Sequence, residues 1–359
     1  MAERFDPGTL RQWWPKPSKP RPIVIFGAGS IVGDAHLPAY RKAGFPVAGI
    51  YDPDHAKALQ LAETWGIRAY SSENEAFATT DAIFDLATPP SAHAAILAKL
   101  PIGAAALIQK PLGSDLEAAT IILEICRARK LKAAVNFQLR FAPMMLALQD
   151  AIAKGHLGEV VDFDAWLALA TPWGLWPFLK GLPRIEIAMH SIHYLDLVRG
   201  LLGNPLGVHA KTIGHPNHGV AQTRTAAILD YGTRVRCALS VNHDHDFGRK
   251  FQACEFRISG TSGAAYVKLG VNLDYPRGEP DELWIRPAGS ADWVAVGLEG
   301  AWFPDAFVNR MANLQRFAAG EDEELIGSVE DAWQTMALVE AAYQSSAAPA
   351  TAIAPLPGR

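Results

Sequence analysis

The chain has 359 residues, 49% of them hydrophobic and 19% charged, with a net charge of -4; that length points to more than one core and that balance to a globular protein, not a disordered one. A mildly acidic chain with no basic run interleaved with aromatics argues against a nucleic-acid partner, and no apolar run approaches the length of a membrane span. Three distant cysteines, Cys126, Cys237 and Cys254, form neither a disulfide framework nor a zinc pattern; with no signal-peptide core at the N-terminus, they predict a cytoplasmic protein.

Residues 1–21 read as an N-terminal arm, in which Trp13-Trp14 and the following KPSKPRP lie extended over their own domain or reach a neighbouring subunit. From 22 to 140, short apolar runs alternate with helical patterns. The strands are IVIF (23–26), FPVAGIYD (45–52), AIFDLAT (82–88), AAALIQ (104–109) and KAAVNF (132–137). Helical patterns occupy 31–43, 55–65, 92–100 and 115–130. Such alternation predicts a parallel, doubly wound α/β sheet, a Rossmann dinucleotide-binding domain with its ligand at the carboxyl ends of the strands.

Gly27 and Gly29, followed by Ser30 and Ile31, stand between the first strand and its helix. There backbone amides and the helix N-terminus can hold a pyrophosphate, although Val32 occupies the third fingerprint position. Asp52 closes the second strand; it can accept hydrogen bonds from the adenosine ribose and would repel a 2′-phosphate, so NAD is expected ahead of NADP. Its alternative role is to cap the segment after Pro53.

Residues 141–345 predict a second, α+β domain, with β-rich segments at 160–169, 221–231, 234–243, 251–260 and 264–270 and helices at 304–319 and 329–345. Residues 346–359 are a Pro/Ala-rich tail. Within the second domain, EIAMHSIHYLD (186–196) sets two histidines between two carboxylates. At about 100° per residue, Glu186, His190 and His193 fall within roughly 60° of one another on an α-helix. A zinc site built on them, with HDH (243–245) adding ligands, is the weaker reading because the spacing is not HExxH, and no metal is expected. On a strand, His243 and His245 would share one face, with Asp244 opposite. The loop TPWGLWPFLKGLPR (171–184) offers Trp173 and Trp176, with Phe178 and Lys180, either as a sugar-stacking cover or as ordinary packing.

GAGSIVGDAHLPAY with its His36, ATPPSAH (87–93), QKPLG (109–113), NFQLRF (136–141), GHLGEV (155–160) and HYLD (193–196) follow one another in order. Together they resemble the glucose–fructose oxidoreductase / inositol dehydrogenase (Gfo/Idh/MocA) family over residues 22–345. The resemblance implies a second domain with an open, mainly antiparallel sheet that carries a homodimer or homotetramer. It implies Thr88, Pro89 and His93 along the nicotinamide, Lys110 on the cofactor side bonding the reacting hydroxyl, and His193 as general base. Asp196 would hold the other nitrogen of that ring or cap backbone nearby, and Gln138, Arg140, Trp173, Trp176, His190 and His243 are the further substrate candidates, with a structural interdomain salt bridge as the equal alternative for Arg140. Gln109 replaces the family's glutamate, and Met189 stands where the family has an aspartate. His190 and Glu186 are expected to take over the role of that acid. The implied activity is an NAD-dependent dehydrogenase acting on a secondary alcohol of a sugar, sugar lactol or cyclitol. An NAD-dependent glycoside hydrolase and a non-catalytic NAD-binding regulator are the alternatives.

Overall fold

The computed structural model describes residues 5–175, 179, 181–216, 219–275 and 277–354. The first sheet is formed by β1 (Ile23–Phe26), β2 (Val47–Tyr51), β3 (Ile83–Leu86), β4 (Ala105–Ile108) and β5 (Lys132–Val135). All are parallel, in the order β2-β1-β3-β4-β5. β1, β3 and β4 are buried at every residue; β1 and β4 therefore read as unbroken apolar runs, and β3 is interrupted only by Asp85. Helices α1 (Leu37–Ala43), α2 (His55–Trp65), α3 (Glu73–Phe77), α4 (His93–Leu97) and α5 (Leu116–Ala128) connect them, and α6 (Pro143–Ala153) leads out.

The second sheet has eight strands: β6 (Val160–Ala168), β7 (Gly207–Ile213), β8 (Arg224–Asp230), β9 (Arg236–Asn242), β10 (Ala253–Gly260), β11 (Ala264–Lys268), β12 (Glu282–Arg286) and β13 (Val294–Ala295). Their order is β13-β12-β11-β10-β6-β9-β8-β7; only the central β6–β9 pair is parallel. The sequence pattern leaves β7, β12 and β13 unannounced. β8 shows the alternation of a one-sided sheet, with Thr225, Ala227 and Leu229 buried and Ala226, Ile228 and Asp230 exposed.

Helices α7 (Ile192–Leu202) and α9 (Val329–Ala347) pack against each other, and α9 also meets β7. The C-terminal segment returns to the first sheet. Phe307, Met311 and Leu314 of α8 (Asp305–Ala319) share a core with Ile23, Ile25 and Leu107. The Val135 amide donates to Gly327 O at 2.9 Å, adding one rung beyond β5. The arm lies on its own chain: Trp13 Nε1 donates to Glu299 at 2.7 Å and Trp14 Nε1 to Asp322 at 2.7 Å. Among the described residues, no helix is long and apolar enough to cross a membrane.

Candidate active site

β1 ends at Gly27, whose φ is +103° and whose added Cβ would stand 2.3 Å from Ala87 O. Only glycine lets this loop pass so close to the end of β3. Gly29 has open space where a Cβ would stand, and Gly29 and Ser30 are exposed, so a ligand can approach the backbone. The helix then opens with a π-helical turn, Val32–His36, in which Val32 is fully buried. Asp52 accepts from the Ala28 amide at 2.8 Å and from the Asp54 amide at 2.8 Å. It therefore fixes the glycine loop and caps the turn after Pro53 together, and each carboxylate oxygen keeps a lone pair for a ribose hydroxyl.

Thr88 Oγ1 and both side-chain polar atoms of Asn136 are buried without partners. They follow β3 and β5 at the strand ends where such a sheet takes its ligand, and leaving a buried polar atom unmatched costs about 1–3 kcal/mol. The glycine cradle and these atoms fit a dinucleotide. Asn136 is a further candidate that the sequence pattern does not single out, because there it reads as part of the strand KAAVNF.

Lys110 follows β4. Its Nζ donates to Met189 O at 2.6 Å, and burial lowers its pKa to about 8. Its amide donates to Gln109 Oε1 at 2.8 Å, and Gln109 Nε2 lies 3.4 Å from His36 Nε2. His36 Nδ1 is 2.7 Å from Asp85 Oδ2, which also accepts from Tyr40 OH at 2.7 Å. With Nδ1–H directed at the carboxylate, Nε2 is the nitrogen that accepts the amide. A buried chain of side chains thus braces the lysine backbone.

His193 lies in the first turn of α7, buried between the ring edges of Phe137 (6.3 Å) and Trp302 (6.2 Å), with Nδ1 unpartnered. Burial first, and then the charge of Lys110, hold its pKa well below the usual 6.5. A neutral imidazole and an ammonium therefore face the same place.

The residues before His193 do not form an α-helix. Glu186–Ser191 is a π-helical turn, whose hydrogen bonds run from i to i+5. The expected α-helical wheel does not apply there, but residues four apart in a π turn still fall on nearly the same side, and Glu186 and His190 both lie against His243. Glu186 is fully buried, accepts from Ser191 Oγ at 2.6 Å and from Thr225 Oγ1, and lies 3.4 Å from His243 Nε2. Its oxygens are thus held by two hydroxyls and set beside the His243 ring. His190 lies against His243 at 4.6 Å between ring centroids, the rings tilted by 40°, and meets Trp173 edge-on at 5.5 Å. Its Nδ1 is buried and unpartnered. Burial, then His243, Lys110 and His193, push its pKa well below 6.5. Met189 packs with Leu179, Ile185 and Val220.

The HDH segment also departs from expectation. β9 ends at Asn242, so strand alternation stops before it. His243 Nδ1 pairs with Thr171 Oγ1 at 2.8 Å, whereas Asp244 accepts from Trp173 Nε1 at 3.2 Å on the same side. His245 meets Phe247 edge-on at 5.5 Å. Among the described residues, no three His, Cys, Asp or Glu side chains are arranged to hold a metal ion.

Three further expectations are corrected. Arg140 is committed to a buried ion cluster, at 2.5 and 2.7 Å from the oxygens of Asp196 and 2.9 Å from Asp331, so it is structural and not a substrate ligand. Asp196 is thereby drawn to Arg140 and Thr335, away from the His193 ring. His93 is fully buried with its ring nitrogens 3.0 Å from Thr88 O and 3.2 Å from Leu112 O. It braces the loop after β3 against the Lys-Pro segment and has no edge left for a cofactor, while Pro89 beside it is exposed. Gln138 is buried with Oε1 unpartnered. Trp176, Phe178 and Lys180 lie outside the described residues.

Residues 21–137 match the GFO/IDH/MocA oxidoreductase family with an NAD-binding Rossmann fold, and residues 145–266 match the GFO/IDH/MocA C-terminal domain. D-apiose dehydrogenase of Rhizobium rhizogenes is 24% identical over 325 residues, covering 85% of this chain and 89% of that protein. Inositol 2-dehydrogenase of Rhizobium meliloti is 31% identical over 192 residues, 52% of this chain and 56% of that protein. An oxidoreductase from Agrobacterium radiobacter, solved with NAD+, L-tartaric acid and magnesium, superposes with a TM-score of 0.77 at 22% identity, over 92% of this chain and 97% of that one. Two successive family matches, one on each sheet, lead to one conclusion: the chain belongs to the Gfo/Idh/MocA family of oxidoreductases.

Proposed function

We propose that the protein is an NAD-dependent dehydrogenase acting on a secondary alcohol of a sugar, sugar lactol or cyclitol. The observation that carries this reading is the Lys110 ammonium beyond β4, near enough that, after burial, its charge helps hold the His193 pKa down, together with a buried His193 Nδ1 that has no partner. The similarity to D-apiose dehydrogenase and inositol 2-dehydrogenase supports the substrate class. Gly27, Gly29, Ser30, Ile31, Asp52, Thr88 and Asn136 would hold the dinucleotide, and the free lone pairs of Asp52 favour NAD over NADP.

Bound at these residues, the cofactor supplies hydride transfer at its nicotinamide ring. Lys110 donates to the reacting oxygen and stabilises the negative charge that gathers there during oxidation. His193 accepts the hydroxyl proton and returns it in the reverse direction. Trp173 and Trp302 keep water from the two groups, with Trp302 against the His193 ring and Trp173 against His190.

The test is to incubate the enzyme and NAD with a panel of sugars and polyols and follow NADH absorbance. NADH formation that disappears in Lys110→Met supports the reading, and undiminished activity in that variant refutes the mechanism. Asp52→Ser is expected to weaken NAD binding and relieve the exclusion of NADP. We also propose a homodimer or homotetramer formed through the open face of the second sheet.

A further inference from the structure

We propose that the substrate is a sugar acid, an aldonate or uronate whose carboxylate lies against His190 and His243 while its hydroxyl meets Lys110 and His193. This rests on the dehydrogenase reading above and names its substrate class.

The side chains left to meet a substrate here are nitrogen groups, one ammonium and three imidazoles. Lys110 is the ammonium, and His190, His193 and His243 contribute the imidazoles, with the His190 and His243 rings in tilted contact at 4.6 Å. A neutral polyol is bound tightly where carboxylates accept its hydroxyl protons. The nearby carboxylates are already committed. Glu186 accepts from Ser191 and Thr225 and backs His243. Asp196 accepts both nitrogens of the Arg140 fork and Thr335 Oγ1. Asp244 accepts from Trp173 and Thr223. Met189 supplies only its carbonyl to Lys110, and its side chain packs on the Leu179–Ile185–Val220 cluster.

What remains unmatched is imidazole nitrogen. His190 Nδ1 and His193 Nδ1 are buried without partners, and His243 Nε2 has only its 3.4 Å approach to Glu186. A carboxylate supplies what this group lacks: a negative charge to offset Lys110 and acceptor oxygens for ring N–H groups. Repulsion from His243, Lys110 and His193 disfavours the charged form of His190 in the free enzyme. An anion seated there relieves that repulsion, so binding is expected to draw a proton onto the site.

The NAD-loaded enzyme should be titrated calorimetrically with D-gluconate, D-galactonate, D-glucuronate and D-galacturonate, and with D-glucose and D-galactose, with NADH followed in parallel. An acid is expected to bind about tenfold or more tightly than its neutral parent. Repeating the titration in buffers of different ionisation enthalpy is expected to register proton uptake, and His190→Gln is expected to erase most of the preference while retaining NAD affinity. Neutral sugars that bind as well as or better than every acid overturn the proposal and leave the dehydrogenase standing. An acid that binds selectively but yields no NADH supports the anion site and overturns the dehydrogenase reading. A preference for acids that survives unchanged in His190→Gln overturns the assignment to this cluster.

Discussion

Lys110 is a partly buried ammonium whose hydrogen-bond acceptor is a peptide oxygen, Met189 O, so burial is left to lower its pKa to about 8. That sets the pH behaviour of the reaction. Oxidation needs His193 neutral and Lys110 charged, so kcat/KM is expected to fall below the usual histidine range as His193 gains a proton. It is expected to fall again above about 8 as Lys110 loses one. A pH profile of initial NADH formation checks both limbs, and a rate that climbs steadily through pH 9 on the alkaline side contradicts the role given to Lys110. Removing the ammonium in Lys110→Met is expected to lower kcat by about 10²–10³, as for loss of an oxyanion donor, with NAD affinity measured separately by fluorescence. Both residues were legible in the sequence because a lysine before proline at a strand end and a histidine in an ordered motif carry local signals. Arg140, Asp196 and Glu186 were not, because their partners lie 56, 139 and 39 positions away in Asp196, Thr335 and Thr225.

The elements that aim these side chains are the glycine turn after β1, the π-helical turn before α7 and the ion cluster that locks α7 to α9. The strands of the first sheet could be read from sequence because β1, β3 and β4 are covered on both faces and their residues are almost all apolar, which sets the strand–helix alternation for β2 and β5 as well. The π turns could not, since one extra residue in a helical turn leaves the apolar period almost unchanged over so short a stretch. Gly27→Ala drives a Cβ into Ala87 O at a φ of +103°, so the β1–β3 strand ends must separate. Its expected effect is loss of NAD binding by at least tenfold with the second sheet intact, read by titration beside circular dichroism. Arg140 and Asp196 are both buried, and truncating one side of such a pair leaves the other uncompensated. Arg140→Ala is therefore expected to destabilise the protein by about 3–5 kcal/mol in chemical denaturation, with a loss of activity only in proportion to unfolding. A large kcat defect in the folded variant would return Arg140 to the substrate site.

At the scale of the whole molecule, the second sheet covers the core with one face and leaves the other open. On the open face Ile228, Ala238, Asp164, Arg257, Tyr266 and Trp284 lie side by side across six strands, and Trp166 stands in the next row between Ser240 and Glu255. Trp166 is 41% and Ile228 54% exposed, a poor arrangement for a surface that meets only water. The row carries Asp164 and Arg257, of opposite charge, flanked by apolar side chains, which suits the proposed pairing of two copies about a twofold axis. The site is tied to the same strands. Beyond β6 and β9, the Leu169 amide donates to Asn242 O at 2.8 Å and the Thr171 amide to His243 O at 3.0 Å, so the sheet ends hold Trp173 and His243. Light scattering at micromolar concentration is expected to give a dimeric or tetrameric mass for the wild type and a monomeric mass for the double variant Trp166→Glu, Ile228→Glu. Because the strand ends carry the substrate-facing rings, that monomer is expected to show a raised KM for substrate with little change in NAD affinity. A monomeric wild type, or a double variant that keeps its assembly, would move the contact off this sheet.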